Sequence, residues 1–479
     1  MLQDWTTSGV DLFLNTGAET GRRVGVEAAL REAVQSGRLA AGTRIPSTRT
    51  LAQQLGLSRG TVVAAFDQLT AEGYLTATPS VGTVVSTLPP SAAAPAPSPP
   101  SAPTRLDLAP GNPDIDRFPA AAWLRSSRRV LSSPAQMLRY GDPRGSIALR
   151  EALAAYLGRT RGVRCTPENV VVTSGSVQAF ALLGRTLARS RPTEATAAVE
   201  EPSWSFQRKV LRHSGLRLAP LPVDGQGARL DELAGDDAAP AAVFVTPSHQ
   251  YPCGVTLAPA RRIRLTQWAQ STGGLVVEDD YDGEFRYDRT PVGSLQGTAP
   301  DQVAYVGSAS KSLAPGLRIG WMVLPQRLIE PVIDERLHSD VHNDALTQAT
   351  LADLITSHEY DRHIRASRHR YRRRRDHLLA ALQRSGLTDA GIRPRGIAAG
   401  LHLLLPLPSS LDEKDVVDLA ASEDLALLGL SESWQSAPAR PVPAPGLIIG
   451  YGTPSEGAYP AAVTVLIRVL RRSLAADPP

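Results

Sequence analysis

The 479-residue sequence predicts two domains of different class: a small, mainly α-helical N-terminal domain and a large α/β domain. Residues 86–103, STLPPSAAAPAPSPPSAP, contain only Pro, Ala and Ser apart from one Thr and one Leu. Such a stretch cannot bury apolar surface and forms an extended spacer. Before it, two short helical patterns follow each other closely. After it, apolar strands alternate with helices. We therefore divide the chain into residues 1–86, a linker at 87–104, and residues 105–479.

The small domain contains the pattern of a helix-turn-helix. Apolar residues at helical spacing predict a first helix over residues 25–35. The stretch IPSTRTLAQQLGLSRGTVVAAFDQLTAEGYL then predicts two short helices, with Ser47 and Ser58 as their N-caps. Only Gly56 and Leu57 separate these helices, which is typical of a helix-turn-helix. The strand-like segments YLTAT and TVVS, joined by PSVG, predict a hairpin wing after them.

The second of these two helices is a candidate DNA-reading element. In a helix-turn-helix the first turn of this helix enters the major groove, and here that turn presents Arg59, Gly60 and Thr61. An arginine can make a bidentate contact to guanine, and a threonine can reach a base methyl or a phosphate. The alternative is a purely structural three-helix unit. Residues 1–86 hold seven arginines, no lysine and seven acids, so any affinity for DNA must come from charge placement.

The large domain predicts a mostly parallel α/β sheet. Its strand-like segments are VVVTSGS, VEEPSWSF, AAVFVTPSHQYPCG, GLVVEDDYDGEF and VAYVGSASK, and helical segments such as RRIRLTQWAQ lie between them. Short apolar strands that alternate with helices are typical of this class. In such sheets the chemistry lies at the carboxyl ends of the strands.

Several strand ends carry groups that suit one phosphorylated cofactor. TSGSVQ leads into a helix and offers N–H groups and hydroxyls to a phosphate. Asp279 could hold a pyridinium nitrogen protonated, Lys311 is an amine for an aldehyde, and Trp204 offers a flat surface for stacking. Further phosphate donors are Ser308, Ser310 and Arg318. Singly, each residue has an ordinary explanation as a cap, a solvated charge or a core side chain. Together, in this order, they indicate a cofactor site.

The sequence resembles a known family over most of its length. The string S-x-S-K-x-x-x-P-G-x-R-x-G and the segments quoted above make residues 105 to about 475 similar to fold type I pyridoxal-phosphate aminotransferases. The segment GRLAAGTRIPSTRTLAQQLGLSRGTVVAAFDQLTAEGYL, followed by VGTVVS, resembles the winged helix-turn-helix of the GntR family. Joined in one chain, the two parts resemble the MocR family of bacterial transcription regulators, which respond to small molecules.

The resemblance implies a role for each matching residue. Lys311 would form the Schiff base with pyridoxal phosphate, Asp279 would pair with the ring nitrogen, Tyr281 would approach the phenolic oxygen, and Trp204 would stack on the ring. Tyr140 would reach the phosphate of a neighbouring subunit, which implies a homodimer. The phosphate-binding residues would be Ser174, Gly175, Ser176, Ser308, Ser310 and Arg318. The DNA-contacting residues would be Arg49, Ser58, Arg59, Gly60, Thr61 and Gly82.

Two positions depart from the pattern of the catalytic aminotransferases. Those enzymes have Asn-Pro-x-Gly where this chain has Tyr251-Pro252-Cys253-Gly254, so His249 or Tyr281 would replace the missing asparagine. They also bind a substrate carboxylate with an arginine on a late strand, and the matching segment GLIIGYGTP has none. Without a bidentate partner a carboxylate loses affinity and orientation. The loop arginines that could fill this role instead are Arg393, Arg395 and Arg440.

These features leave three hypotheses. The leading one is a dimeric regulator that binds pyridoxal phosphate and reads DNA, with the cofactor itself or an external amine as its effector. The second is a catalytically active aminotransferase with an accessory DNA-binding domain. The third is a DNA-binding protein whose aminotransferase-like part serves only for dimerisation. Cofactor bound to the purified protein, and turnover of amino acids, would discriminate among them.

Composition narrows the environment in which the protein works. No apolar run reaches the 18 residues of a membrane span, and the N-terminus has no signal-peptide pattern, so we expect a cytoplasmic protein without a membrane partner. Cys165 and Cys253 lack CxxC spacing, and we expect no metal site of their own. RHIRASRHRYRRRRDH, with eight arginines, is interpreted as a solvated helix face, with contact to the DNA backbone as the rival hypothesis.

Overall fold

The chain forms two compact units, residues 1–101 and residues 102–479. The structure, a computed structural model, describes residues 22–78, 82–87, 106–132, 138–190, 195–233, 239–288, 292–435 and 445–476. All of the linker predicted at 87–104 except residue 87 lies outside these ranges, as do residues 79–81 at the tip of the predicted wing.

The described part of the N-terminal unit contains α1 (Arg22–Gln35), α2 (Thr48–Leu55), α3 (Arg59–Ala71), β1 (Leu75–Thr78) and β2 (Gly82–Val85). Both predicted N-caps are confirmed. The Oγ of Ser47 accepts from the Thr50 N–H at 3.1 Å, and the Oγ of Ser58 accepts from the Thr61 N–H at 3.1 Å. α2 ends at Gly56, whose φ of 63° lies in the left-handed region that glycine adopts without strain.

One apolar core holds this unit together. The inward faces of the three helices pack on the hairpin and bury Val26, Leu30, Leu51, Val62, Phe66, Leu69, Leu75 and Val85. β1 pairs antiparallel with β2, from Leu75 opposite Val85 to Thr78 opposite Gly82. The unit is therefore the predicted winged helix-turn-helix, and α2 and α3 owe their relative position to the residues that they bury together.

The C-terminal unit alternates helices and strands. Its described helices are α4 (Ala120–Leu131), α5 (Ile147–Arg161), α6 (Ser176–Ser190), α7 (Ser205–His213), α8 (Pro259–Thr272), α9 (Gln326–Leu337), α10 (Ala345–Thr356), α11 (Glu359–Arg384), α12 (Glu413–Ser422) and α13 (Tyr459–Ala476). No helix in the described part of the chain is long and apolar enough to cross a membrane.

The strands of this unit are β3 (Leu106–Asp107), β4 (Val170–Thr173), β5 (Thr196–Glu201), β6 (Arg217–Asp224), β7 (Gly227–Ala228), β8 (Ala242–Val245), β9 (Leu275–Asp279), β10 (Val303–Ser308), β11 (Gly320–Val323), β12 (His402–Pro406), β13 (Leu425–Ala426), β14 (Leu428–Gly429) and β15 (Gly446–Gly450). The main sheet has the order β4-β11-β10-β9-β8-β5-β6-β7. A smaller sheet has the order β12-β15-β14, and β13 pairs with β3.

The main sheet is mostly parallel, as predicted. β6, β5, β8, β9 and β10 pair in parallel, whereas β11 runs antiparallel to both β10 and β4. The strands β4, β8, β9 and β10 are buried along their whole length because apolar clusters cover both faces of the sheet. The carboxyl ends of the parallel strands therefore meet at one edge, where polar side chains can gather.

The arginine-rich segment lies on α11, and most of it matches the predicted solvated face. Five of its arginines are exposed: Arg362, Arg365, Arg368, Arg372 and Arg373. Arg374 is an exception to the prediction, since it is buried. It pairs with Asp114 at 2.8 Å and donates to the carbonyls of Tyr451 and Gly452. This arginine fastens the C-terminal elements to α11, and a buried charge of this kind needs such partners.

Candidate functional site

A cavity of about 380 Å³ opens at the carboxyl ends of β5, β8, β9 and β10. Eight residues predicted to bind the cofactor line it: Ser176, Trp204, Asp279, Tyr281, Ser308, Ser310, Lys311 and Arg318. These residues come from segments as far as 142 positions apart in sequence, between Ser176 and Arg318. The sheet brings them together because their strands run in parallel to the same edge.

Lys311 and Asp279 are the central charges of this cavity. Asp279 is the last residue of β9, and burial, followed by repulsion from Asp280, raises the pKa of its carboxyl group to about 8. Burial lowers the pKa of Lys311, while Asp279 and Asp282 oppose that shift. The amine of Lys311 donates to the Gly111 carbonyl. A lysine with a lowered pKa has a larger neutral fraction, which is the form that attacks an aldehyde.

The groups expected to bind a phosphate lie at the N-terminus of α6. Gly175, with φ of 96°, precedes this helix, and a Cβ atom there would lie 3.5 Å from the Arg318 guanidinium. The Oγ of Ser308 accepts from the Ser310 N–H at 3.4 Å. No ion pair of Arg318 with a carboxylate is found within the described residues. Hydroxyls, an arginine and a helix N-terminus form a donor set that suits a phosphate.

Ser174 and Gly175 stand at the edge of this donor set and do not line the cavity. The Oγ of Ser174 accepts from the Asn343 amide, and the Ser174 N–H donates to the Gln178 side chain at 2.7 Å. Both residues shape the turn between β4 and α6. Their assignment as phosphate ligands stays a prediction.

Tyr281, His249 and Asp282 form a hydrogen-bonded group behind the cavity. The Nδ1 of His249 lies 2.8 Å from Asp282 Oδ2 and 3.2 Å from the Tyr281 hydroxyl, which also donates to the His249 carbonyl at 3.0 Å. His249 is buried and does not line the cavity. The structure therefore places His249 behind Tyr281, where it contacts the cavity only through lining residues.

Three titratable residues of the cavity lining were not among the predicted ligands: Glu200, Tyr251 and His402. Glu200 precedes the last residue of β5, much as Asp279 ends β9, so its strand-end position was a usable signal. Burial raises the pKa of its carboxyl group to about 7. His402 begins β12, and its ring centroid lies 4.8 Å from that of His249 and 5.1 Å from that of Tyr251. No local signal in the sequence indicated His402, because its place in the cavity depends on contacts between segments far apart in the chain.

Of the three arginines considered for a substrate carboxylate, the two that the structure describes do not line the cavity. Arg393 donates to the Thr388 carbonyl at 3.1 Å, and Arg395 lines a separate groove beside Leu403. Arg440 lies outside the described residues. Among the residues that the structure describes, Arg318 is the arginine that lines this cavity.

The N-terminal unit presents the predicted DNA-contacting residues at its surface. Arg49, Ser58, Arg59, Gly60 and Gly82 are exposed, and Thr61 is half-buried. The hydroxyls of Ser58 and Thr61 lie 2.8 Å apart, so both side chains also serve the N-cap of α3. Arg44 was missed by sequence reasoning. A Cβ atom at Gly82 would lie 3.4 Å from its Nε, which places this exposed arginine at the base of the wing.

Comparison with known proteins agrees with both parts of this architecture. A family model described as aminotransferase class I and II matches residues 103–424, and a model described as bacterial regulatory proteins, gntR family, matches residues 23–85. The solved structure of LysN, an α-aminoadipate aminotransferase from Thermus thermophilus complexed with N-(5'-phosphopyridoxyl)-L-leucine, is 26% identical with a TM-score of 0.69. The match covers 78% of this chain and 94% of that one. Fold and site thus define a GntR-type DNA-binding unit fused to an aminotransferase-type unit.

Two curated relatives match along nearly the whole chain. The probable rhizopine catabolism regulatory protein MocR of Rhizobium meliloti is 34% identical, and the match covers 88% of each chain. The pyridoxine biosynthesis transcriptional regulator PdxR of Corynebacterium glutamicum is 32% identical, with 89% of this chain and 91% of that protein covered. The chain belongs to the MocR family of transcription regulators, and it is a DNA-binding regulator.

Proposed function

We propose that this regulator binds pyridoxal phosphate in the cavity around Lys311 and that occupancy of the cavity controls operator binding. The observation that carries the proposal is the convergence of Lys311, Asp279 and Arg318 on one cavity. In this scheme residues 1–86 read DNA and residues 87–104 connect the two domains. Residues 105–479 bind the cofactor and an effector, and they dimerise.

The side chains present fit this cofactor. Pyridoxal phosphate, when bound, supplies an aldehyde that condenses with primary amines and a pyridine ring that withdraws electrons. Lys311 supplies the primary amine, and the buried carboxylate of Asp279 gains a cationic partner in a protonated ring nitrogen. The Tyr281 hydroxyl would turn from the His249 carbonyl to donate its one proton to the phenolic oxygen in place of the missing asparagine, and the face of Trp204 would take the ring. Phosphate donors are Ser176, Ser308, Ser310 and Arg318.

A homodimer completes the proposed site. Tyr140, which resemblance assigns to the neighbouring subunit's phosphate, is 90% exposed. Leu124, Leu131, Leu138 and Ile147 are also at least half exposed and belong to the same stretch of chain. Exposed apolar groups in one region mark an interaction surface. Sedimentation of the purified protein tests the dimer, and the variant Leu138→Asp should shift it towards the monomer.

The regulatory part of the proposal is tested by titrating cofactor-free protein on DNA from its own promoter region. A ligand changes DNA affinity only through its preference for one conformation over the other. If pyridoxal phosphate alone changes operator affinity, the cofactor is the effector. If the affinity changes only after an amine is added to loaded protein, the effector is that amine. If neither addition has an effect, the proposed control of DNA binding is wrong.

The competing function is that of a working aminotransferase with an accessory DNA-binding domain. Such an enzyme must orient an amino-acid carboxylate, and Arg318 is already assigned to the phosphate. Turnover with a panel of amino acids and keto acids tests this alternative directly.

Because a transcription regulator acts on promoter DNA, we place the protein in the cytoplasm.

A further inference from the structure

The acid Glu200 has one oxygen that no group in the described part of the chain uses. Its Oε2 accepts three hydrogen bonds, from the Thr246 N–H at 3.0 Å, the Thr246 hydroxyl at 2.6 Å and the Gln250 amide at 3.3 Å. No such partner is found for Oε1 among the described residues, although Glu200 is only 3% exposed and lines the cavity. Oε1 is not fully buried and so stays in contact with the cavity, where an unpaired carboxylate oxygen marks a place at which a donor can bind.

His402 also lines the cavity, but its unpaired ring nitrogen is closed off from it. It is hydrogen-bonded to the backbone of Pro252, which has a carbonyl but no N–H, so one ring nitrogen of His402 must donate. Its Nε2 is buried and has no partner within the described residues. Burial lowers the pKa of this imidazole well below its ordinary value, so the ring is neutral. Nδ1 is therefore the donor, and Nε2 is a lone-pair acceptor.

Once the cofactor is assigned, not every charged residue that lines the cavity has a partner. The described charged residues that line it are Glu200, Asp279, Lys311 and Arg318. The cofactor takes Lys311 through its aldehyde, Asp279 through its ring nitrogen and Arg318 through its phosphate. Glu200 is left without a partner of opposite charge. The ring of Tyr251, which packs edge-on against His402, adds an aromatic surface to this side of the cavity.

We infer that Glu200 forms a cation subsite, and that the effector is an amine that carries a second protonated amino group. An ammonium group has three donors and no acceptor, which matches a free carboxylate oxygen and an aromatic ring. The first amino group of such a diamine condenses with the cofactor and displaces the Lys311 amine, so each imine bond broken is matched by one formed. This inference rests on the proposed cofactor site and specifies its ligand class.

Three probes with the same four-carbon chain test the inference on the loaded protein: putrescine, butylamine and γ-aminobutyrate. Their binding is followed by the change in visible absorption. Putrescine should bind roughly tenfold more tightly than butylamine, because a hydrogen-bonded charge pair of this kind is worth at least one decade in affinity. γ-Aminobutyrate should bind more weakly than butylamine, since its carboxylate would face Glu200. Equal affinities for putrescine and butylamine would overturn the subsite.

Glu200→Gln removes the charge while keeping the side-chain size, and it should bind putrescine and butylamine equally. The matched control is Glu201→Gln. Glu201 is the next residue, accepts from the Gln435 N–H at 2.6 Å and does not line the cavity, so this variant should keep the preference. A preference that survives Glu200→Gln contradicts the assignment. If the wild type prefers γ-aminobutyrate, the cation subsite is also contradicted. Loss of that preference in Arg440→Ala would then identify a carboxylate-binding site.

The wild type alone provides a test that does not depend on a variant's folding. The titratable groups that interact with Glu200 are Asp279 and Cys253, and the pKa values of both are raised, in small part by Glu200 itself. The ratio of butylamine to putrescine dissociation constants should increase as pH rises through the Glu200 pKa of about 7, because only the ionised carboxylate attracts the second ammonium. A constant ratio sinks the inference. Absence of visible absorption in the loaded wild type would instead sink the proposed cofactor site.

Discussion

The two units carry the charges proposed to bind DNA and ligand in opposite settings. In the N-terminal unit Arg44, Arg49 and Arg59 are exposed, and none has a carboxylate partner in the part of the chain that the structure describes. In the C-terminal cavity Asp279 and Glu200 are buried, and burial raises the pKa of each, to about 8 and about 7 respectively. One unit holds solvated cations, and the other holds desolvated acids.

This difference separates the variables to which each unit responds. Solvated arginines act by displacing counterions from DNA, so their contribution falls steeply with salt. Desolvated acids are largely shielded from salt, but their ionisation changes near neutral pH. The DNA-reading unit should therefore be sensitive to salt, and the cavity should be sensitive to pH and ligand. The four predictions below test this separation, from the largest effect to the smallest.

The largest effect is expected at Lys311. Lys311→Ala should abolish the visible absorption of protein incubated with pyridoxal phosphate, because the variant has no amine in the cavity to condense with the aldehyde. Lys414→Ala is the matched control. Lys414 is an exposed lysine on α12 that pairs with Asp418, and its loss should leave the spectrum unchanged. An unchanged spectrum in Lys311→Ala, with native circular dichroism, would show that another group holds the cofactor.

The next effect concerns Arg59 in the first turn of α3. Arg59→Ala should weaken binding to specific DNA by about 1–3 kcal/mol if its guanidinium contacts a base edge bidentately. Fluorescence anisotropy with promoter DNA and with unrelated DNA measures this cost. Arg23→Ala serves as the control, since Arg23 lies on α1 and pairs with Glu27 at 3.4 Å. A uniform loss on both DNAs would reassign Arg59 to a phosphate contact, and no loss would mean that another element reads the bases.

Local sequence signals predicted the parts of the molecule that depend on local chemistry. The caps Ser47 and Ser58 follow from the hydrogen bond that a hydroxyl makes within one turn. Asp279 and Lys311 follow from their position after buried strands. The presence of Glu200 and His402 in one cavity was not predicted, because 202 positions separate them in sequence. Arg374 was misjudged for the same reason, since its partner Asp114 lies 260 positions away. Only the folded chain reveals which polar atoms remain unpaired.

A third prediction concerns pH and the stability of the cofactor-free C-terminal unit. The folded pKa of Asp279 is raised from 3.8 to about 8, so the folded state binds the proton more tightly than the unfolded state does. Stability from this group is thus present at low pH and is lost as pH rises from about 4 to about 8, by up to roughly 1 kcal/mol per pH unit. Calorimetry should show a falling Tm over this range.

Asp279→Asn should make this pH dependence shallower, because the asparagine does not ionise, while Glu200, whose pKa is raised to about 7, keeps part of the slope. Glu201→Gln is the control for removal of a nearby carboxyl group, and it should keep the slope. Loading with pyridoxal phosphate should also reduce the slope, since a protonated ring nitrogen stabilises the ionised Asp279. A Tm that rises between pH 5 and pH 8 in the cofactor-free wild type would contradict the burial argument.

The smallest effect is expected at Arg49 on α2. In a helix-turn-helix this helix crosses the DNA backbone, so an exposed arginine in its first turn is placed to contact a phosphate. Arg49→Ala should weaken binding to specific and non-specific DNA alike and should lower the slope of log affinity against log salt by about 1. Arg38→Ala is the control, because Arg38 lies beyond α1 and pairs with Glu32 at 3.2 Å. If Arg49→Ala changed discrimination between sequences but left the salt slope intact, Arg49 would read bases. In that case Arg49 and Arg59 would both be base-reading residues. Arg49 would no longer be an example of a solvated cation whose effect on DNA binding depends on salt.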